Sequence, residues 1–307
     1  MNPVILPLPF DPAAIRGLSE RLLRSHHQNN YGGAVKRLGA IRAQLAALDW
    51  TATPGFVING LKREELVAAN SMFLHELYFA SLGGDGQLKA AGRPAGFAVG
   101  LRRDFGSEQS WRAAFVALAT ALGGGSGWAI LSWSAREQRL IDHWAPDHTH
   151  LLAGATPILA LDMYEHAYHM DFGADAKAYV GAFMDNIDWD SVALRYAAAV
   201  EASTATLTAA ADDVQRSGDV KRIDVRRRGA FDATPDMIEG AEWRDPERVE
   251  EWSREFAGAG VVVYCVYGHE VSQSTAARLR DAGVEARFLS GGIEDWKKAA
   301  RPVRPKV

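Results

Sequence analysis

The sequence predicts an α+β chain in which a helical N-terminal half passes into an α+β segment, followed by a second, α/β domain with a parallel sheet. Three observations predict it. Leu18, Leu22, Leu38, Ile41 and Leu45 recur at three- and four-residue steps, the period of a helix with one buried face. Residues 128–133 and 156–161 are short apolar runs that read as strands. Beyond residue 199, short β-branched runs alternate with helical stretches, the rhythm of parallel strands joined by helices.

Taken in order, the first helix spans about Leu18 to Leu48, with a bend expected at Gly32-Gly33, because each helical glycine costs about 1 kcal/mol relative to alanine. A second helix runs from about Arg63 to Ala80 and a third from Ser110 to Leu122. Ala198 to Asp213 is small and polar with no large anchor, which reads as a linker or a loosely packed helix. Then come strands at Ile223–Val225 and Val261–Tyr264, a helix at Thr275–Ala282, a strand at Ala286–Leu289 and a last helix at Glu294–Ala299. The expected division is 1–199, a linker at 200–214, and 215–307.

A chain of 307 residues is long enough for two cores, and its 48% hydrophobic and 23% charged residues are ordinary for a globular protein. A net charge of −4 gives no reason to expect nucleic acid or an anionic membrane as a partner. The single cysteine excludes an internal disulfide and fits a reducing compartment, so a cytoplasmic location is expected. MNPVILPLPFDP has neither a basic n-region nor an apolar run of signal-peptide length. The uncharged stretch 114–133 has the length of a membrane span, but Gly123-Gly124-Gly125 and Gly127 divide it into a helix end, a loop and a strand.

Three separated segments place metal-binding residue types beside apolar neighbours: Ser25-His26-His27, Phe73-Leu74-His75-Glu76 and Asp162-Met163-Tyr164-Glu165-His166. Imidazole with carboxylate suits iron, manganese or zinc. Singly, each is also what a hydrogen-bonded core or surface histidine looks like, and spacing alone leaves the site open.

Asp162 to Phe172, DMYEHAYHMDF, resembles the D-x-W-E-H-A-Y-Y-x-D signature of iron/manganese superoxide dismutases. His26, His75, Asp104-Phe105-Gly106-Ser107 and Gly125-Ser126-Gly127-Trp128 match further blocks of that family in the same order, over about residues 5–198. The resemblance implies a helical hairpin followed by an α/β part. It also implies one iron or manganese ion held by His26, His75, Asp162 and His166, and disproportionation of superoxide to dioxygen and hydrogen peroxide. Trp128 and Tyr164 would wall off larger anions. Glu165 would bridge to the partner's His166, and the Glu165 and His169 region implies a homodimer.

The sequence also departs from the family. Its second His and its gateway Tyr fall at Asn30 and Ala34, and the second Tyr of the signature is His169, which reads with Asn30 as a coordinated replacement. Tyr31 is the candidate substitute for the Tyr. Ser71 stands where the iron-type enzymes place a solvent-bonding side chain and is too short to reach. His148, in Asp147-His148-Thr149-His150, is the candidate at the manganese-type position. The choice of metal stays open at this point.

Ile223-Asp224-Val225-Arg226, Val261 to Cys265, and Leu289-Ser290-Gly291-Gly292 with Trp296 resemble the blocks of rhodanese domains, over about 215–304. The resemblance makes Cys265 a candidate nucleophile for thiosulfate or another oxyanion. Its loop is one residue longer than the sulfurtransferase pattern and carries Glu270 where a cation would help, so His269 or Arg226 is the cation to expect. Two other readings are a metal-binding or regulatory protein with little turnover, and a Cys265-dependent sulfurtransferase with a structural metal. The fusion suggests protection against an oxidant or a toxic oxyanion.

Overall fold

The computed structural model describes residues 3–89, 94–218 and 220–306. They form two compact units, one of 1–94, 104–132 and 140–193, the other of 95–103, 133–139 and 194–307. Among the described residues, no helix is long and apolar enough to cross a membrane.

The chain opens with α1 (Glu20–Ser25), a π-helical turn (His26–Tyr31), α2 (Gly32–Ala46) and α3 (Gly55–Phe79). Ser19 starts α1 by accepting the Leu22 N–H on its hydroxyl at 3.1 Å. The expected bend lies just before the glycine pair rather than on it, and is the extra residue of the π turn. α2 packs along α3, forming the helical hairpin. α4 (Pro94–Phe105) and α5 (Glu108–Ala121) follow, then β1 (Trp128–Ser134), β2 (Arg139–Ala145) and β3 (Ala155–Asp162), which make a sheet of order β2-β1-β3. Sequence periodicity missed β2 because its residues alternate irregularly between buried and exposed. The uncharged stretch divides as its glycines predict: α5 ends at Ala121, Gly124 and Gly127 take positive φ, and β1 starts at Trp128. Asp104 accepts the Leu140 N–H at 2.8 Å, so that matching block is a structural tie. α6 (His169–Phe172), α7 (Ala176–Met184) and α8 (Trp189–Thr204) complete this part of the chain.

Residues 200–214, expected as a linker or a loosely packed helix, carry regular elements. They hold the end of α8, the strand β4 (Thr208–Ala209) and most of α9 (Ala211–Arg216). Small residues serve here because β4 is a two-residue edge strand, paired with a later interior strand, and needs little volume. The remaining elements are β5 (Lys221–Asp224), α10 (Arg228–Asp232), β6 (Asp236–Ile238), β7 (Ala241–Trp243), α11 (Val249–Trp252), β8 (Gly260–Tyr264), α12 (Glu270–Asp281), β9 (Glu285–Leu289), α13 (Gly292–Lys298) and β10 (Val303–Pro305). The sheet order is β4-β9-β8-β5-β7 and its pairings are parallel. Strand alternation sends Val261 and Val263 to a core with Ile223, Phe288 and Leu279, and Val262 and Tyr264 to another with Ile238, Ile293 and Trp296. A strand buried on both faces must be apolar throughout, hence the run Val261-Val262-Val263-Tyr264.

At the edge of this core Arg226 is 1% exposed and wraps Asp224, 0% exposed. Arg226 Nε donates to Asp224 Oδ1 at 2.9 Å, its Nη2 to the Asp236 carbonyl at 2.9 Å, and its guanidinium lies 5.3 Å over the Phe231 ring. Removing one partner of such a pair strands a buried charge. Arg226→Ala should therefore cost about 3–5 kcal/mol in chemical denaturation of the full chain.

In the first unit, burial raises the Asp142 carboxyl from 3.8 to about 7, against the bond it accepts from Trp111 Nε1 at 3.1 Å. The folded chain thus keeps a proton that the unfolded chain releases, and this contribution to stability is lost as pH rises through that window. Asp142→Asn should raise the Tm more at pH 8 than at pH 5; an equal change at both pH values would contradict the assignment.

Candidate metal centre

Four elements deliver four side chains to one point. In an α-helix, residues five apart lie about 140° round the axis from each other. The i→i+5 bonding of the π turn brings His26 and Tyr31 back towards one face, and both are 1% exposed. α3 packs against β3, which sets His75 opposite Asp162 at the strand end. The short turn Glu165–Ala167 then returns His166 to the same carboxylate.

Asp162 Oδ2 lies 3.0 Å from His26 Nε2, 3.2 Å from His166 Nε2 and 3.4 Å from His75 Nε2. The four candidate ligand atoms are all within 4.8 Å of one another. His26, His75 and Asp162 are buried, while the His166 side chain is 29% exposed and forms the open side. Burial alone would raise the Asp162 carboxyl, but hydrogen bonds from His166 and His26 outweigh it and hold it well below the usual range. Burial, with His26 adjacent, pushes the His75 imidazole down to about 3.

The chemistry of this donor set fits a metal ion. His75 Nδ1 is 2.6 Å from the Ser71 carbonyl, an acceptor only, so Nδ1 carries the ring proton. The neutral ring then turns an Nε2 lone pair towards a carboxylate oxygen, and that Nε2 has no hydrogen-bond partner. Two lone pairs facing each other in a buried site repel unless a cation lies between them. The second carboxylate oxygen, Oδ1, accepts the Tyr164 N–H at 2.9 Å, and the Asp162 carbonyl accepts the Tyr179 hydroxyl at 2.8 Å.

His148 and His150 separate clearly. His150 stays in the loop with Asp147, at 2.8 Å, its side chain 60% exposed. His148 turns inward, with Nδ1 3.0 Å from Trp128 Nε1 and its ring 6.3 Å from that of His75. Tyr164 stacks between His148 and His166, at 5.0 and 5.4 Å. Ser71 uses its carbonyl to orient His75. The Tyr31 ring is 6.5 Å from the His75 ring, but its hydroxyl accepts the Leu6 N–H at 2.9 Å and donates to Glu76 at 3.0 Å. Burial pushes this phenol up to about 12. Glu165 and His169 are exposed. Sequence reasoning missed Tyr78 and Tyr179; nothing in a motif distinguishes a buried Tyr that bonds a backbone carbonyl.

Cys265 follows β8 and is buried, its Sγ 3.2 Å from Ser272 Oγ. The Cys265 and Val266 carbonyls accept the Ile293 and Glu294 N–H groups, at 3.0 Å each. Gly292, at φ +58°, permits this close approach, since a Cβ there would lie 2.5 Å from the Cys265 carbonyl oxygen. Arg226 does not serve as the cation for Cys265, because Asp224, Thr234 and Asp236 take up its guanidinium. Glu270 pairs with Arg227 at 3.3 Å, and His269 lies by Tyr267, their rings 5.9 Å apart.

Residues 95–195 match the family described as iron/manganese superoxide dismutases, C-terminal domain, and residues 207–299 match the rhodanese-like domain. An iron superoxide dismutase of Cupriavidus metallidurans is 60% identical over 194 residues, 63% of this chain and 96% of that protein. A manganese superoxide dismutase of Halobacterium salinarum is 33% identical over 64% of this chain and 95% of its own length. An iron superoxide dismutase of Aquifex pyrophilus is 30% identical over 62% and 90%. The three-histidine, one-aspartate cluster and these matches agree: the chain belongs to the iron/manganese superoxide dismutase family and carries a rhodanese-like domain behind it.

Proposed function

We propose that His26, His75, Asp162 and His166 hold the single iron or manganese ion of a superoxide dismutase. The observation that carries this is the convergence of three imidazole Nε2 atoms on one buried carboxylate oxygen. When bound, the ion supplies the alternate oxidation and reduction of superoxide. Asp162 contributes a negative charge that offsets the oxidised state. His166, on the exposed side, borders the route by which a small anion enters, and Trp128 and Tyr164 narrow it.

His148 supplies the hydrogen bond that the family takes from a Gln or His. Trp128 donates to its Nδ1, and burial lowers its pKa, so the neutral ring carries its proton on Nε2. That proton is free to bond a solvent molecule at the site. Tyr31 acts indirectly, since its hydroxyl is committed to Leu6 and Glu76. Exposed Glu165, His169 and Met170 fit the face of a homodimer, and the single cysteine fits a cytoplasmic enzyme. We divide the chain as 1–199 and 215–307, the segment between them carrying the first strand of the second sheet.

Cys265 stands at the end of β8 ahead of α12, with the Ser272 hydroxyl 3.2 Å from its Sγ. The reading is sulfur transfer from thiosulfate, in which the thiolate takes the outer sulfur and sulfite leaves, or retention of an oxyanion.

The deciding experiment is superoxide consumption by protein loaded separately with iron and with manganese, normalised to bound metal; fast turnover with either is expected. Asp162→Asn should lower bound metal at least tenfold by elemental analysis, and chelation should lower the wild-type Tm while leaving that of the variant unchanged. Trp128→Phe should keep its metal and lose about tenfold in turnover, equivalent to about 1.4 kcal/mol, as the His148 tautomer is released. For Cys265, mass spectrometry after thiosulfate treatment should find one added sulfur on the wild type and none on Cys265→Ser.

A further inference from the structure

Behind the ligands two buried tyrosines, Tyr78 of α3 and Tyr179 of α7, meet through their hydroxyls. Tyr179 of α7 is 0% exposed, and its hydroxyl is 2.8 Å from the Asp162 carbonyl oxygen and 3.3 Å from the Tyr78 hydroxyl. A phenol has one proton. The shorter bond to the carbonyl takes that of Tyr179, so Tyr78 donates to the Tyr179 oxygen. Tyr78, also 0% exposed, lies on α3 one turn after His75, and its ring is 5.0 Å from the His26 ring. Phe183 stacks on Tyr78 at 5.5 Å and Tyr168 on Tyr179 at 5.2 Å, which leaves neither phenol another place to turn.

This relay spans the carboxylate ligand at the end of β3 and the imidazole ligand in the π turn. We propose that Tyr179 and Tyr78 are positioning residues that fix Asp162 against His26, and so set how firmly the ion is held and at what potential it cycles. The proposal rests on the four-ligand reading above. Neither residue reaches the reacting atoms; each acts by fixing a ligand, as groups behind metal-bound histidines and carboxylates do.

The test uses the full chain with iron or manganese bound. Tyr179→Phe keeps the ring and deletes the hydroxyl, leaving the buried Asp162 carbonyl without this donor. Transfer of metal to a chelator should become about tenfold faster, with a shifted ligand-field spectrum and midpoint potential. Tyr78→Phe, which preserves the Asp162 bond, should shift spectrum and potential less, and the double variant should match Tyr179→Phe rather than the sum. Should Tyr179→Phe fail to fold, Tyr78→Phe decides: a spectral shift supports the relay, and an unchanged spectrum overturns it. A Tyr179→Phe protein with metal release within twofold of wild type and a superimposable spectrum overturns it as well. Wild-type protein that takes up neither metal would instead overturn the four-ligand reading beneath it.

Discussion

A carboxylate buried among three imidazoles is the constraint on which the dismutase part depends. Asp162 has no access to water, and an isolated buried carboxylate is prohibitively costly. His26 of the π turn and His166 of the turn after β3 bond it, and His75 of α3 faces it. Those elements must therefore be brought to within an ångström or so of one arrangement. The surrounding framework does this with directed bonds: Ser71 fixes the His75 ring, the Tyr164 N–H fixes one carboxylate oxygen, and Tyr179 fixes the carbonyl. The hairpin of α2 and α3 is the lever that keeps the first two histidines in register.

The π turn explains how the centre tolerates its departures from the family. An extra residue per turn is unfavourable in isolation and persists where tertiary contacts demand it. Here it buries His26 and Tyr31 together. The Tyr31 hydroxyl and the His27 ring hold the two backbone polar groups of Leu6, at 2.9 and 2.8 Å. Tyr31 thereby pins the N-terminal segment, while His148, steadied by Trp128 and Tyr164, turns towards the His75 ring.

The rhodanese-like domain solves a similar problem with a different pair. Asp224 and Arg226 neutralise each other at a strand end, and Tyr264 adds a bond to Asp224 at 2.9 Å. This commits Arg226 to structure. The charge beside the Cys265 loop is then a Glu270–Arg227 pair, in place of a free cation. The Cys265 loop is itself held by the start of α13.

The sequence by itself determined the fold class and both families, because these rest on chemistry-bearing residues in fixed order and on apolar periodicity. Val261 to Tyr264 reads as a strand from its apolar run alone, and DMYEHAYHMDF carries the family resemblance in one motif. Local reading failed where a segment's role depends on a distant partner. Small, polar residues 200–214 resemble a linker until Thr208–Ala209 pairs with Phe288–Leu289. Arg226 resembles a free cation until Asp224 and Asp236 surround it. Only the tertiary structure decided that Tyr31 bonds Glu76 and Leu6, that His148 and not His150 turns inward, and that Tyr179 supports Asp162. Each depends on where a side chain points after long-range packing, and periodicity fixes only which face of an element a residue occupies.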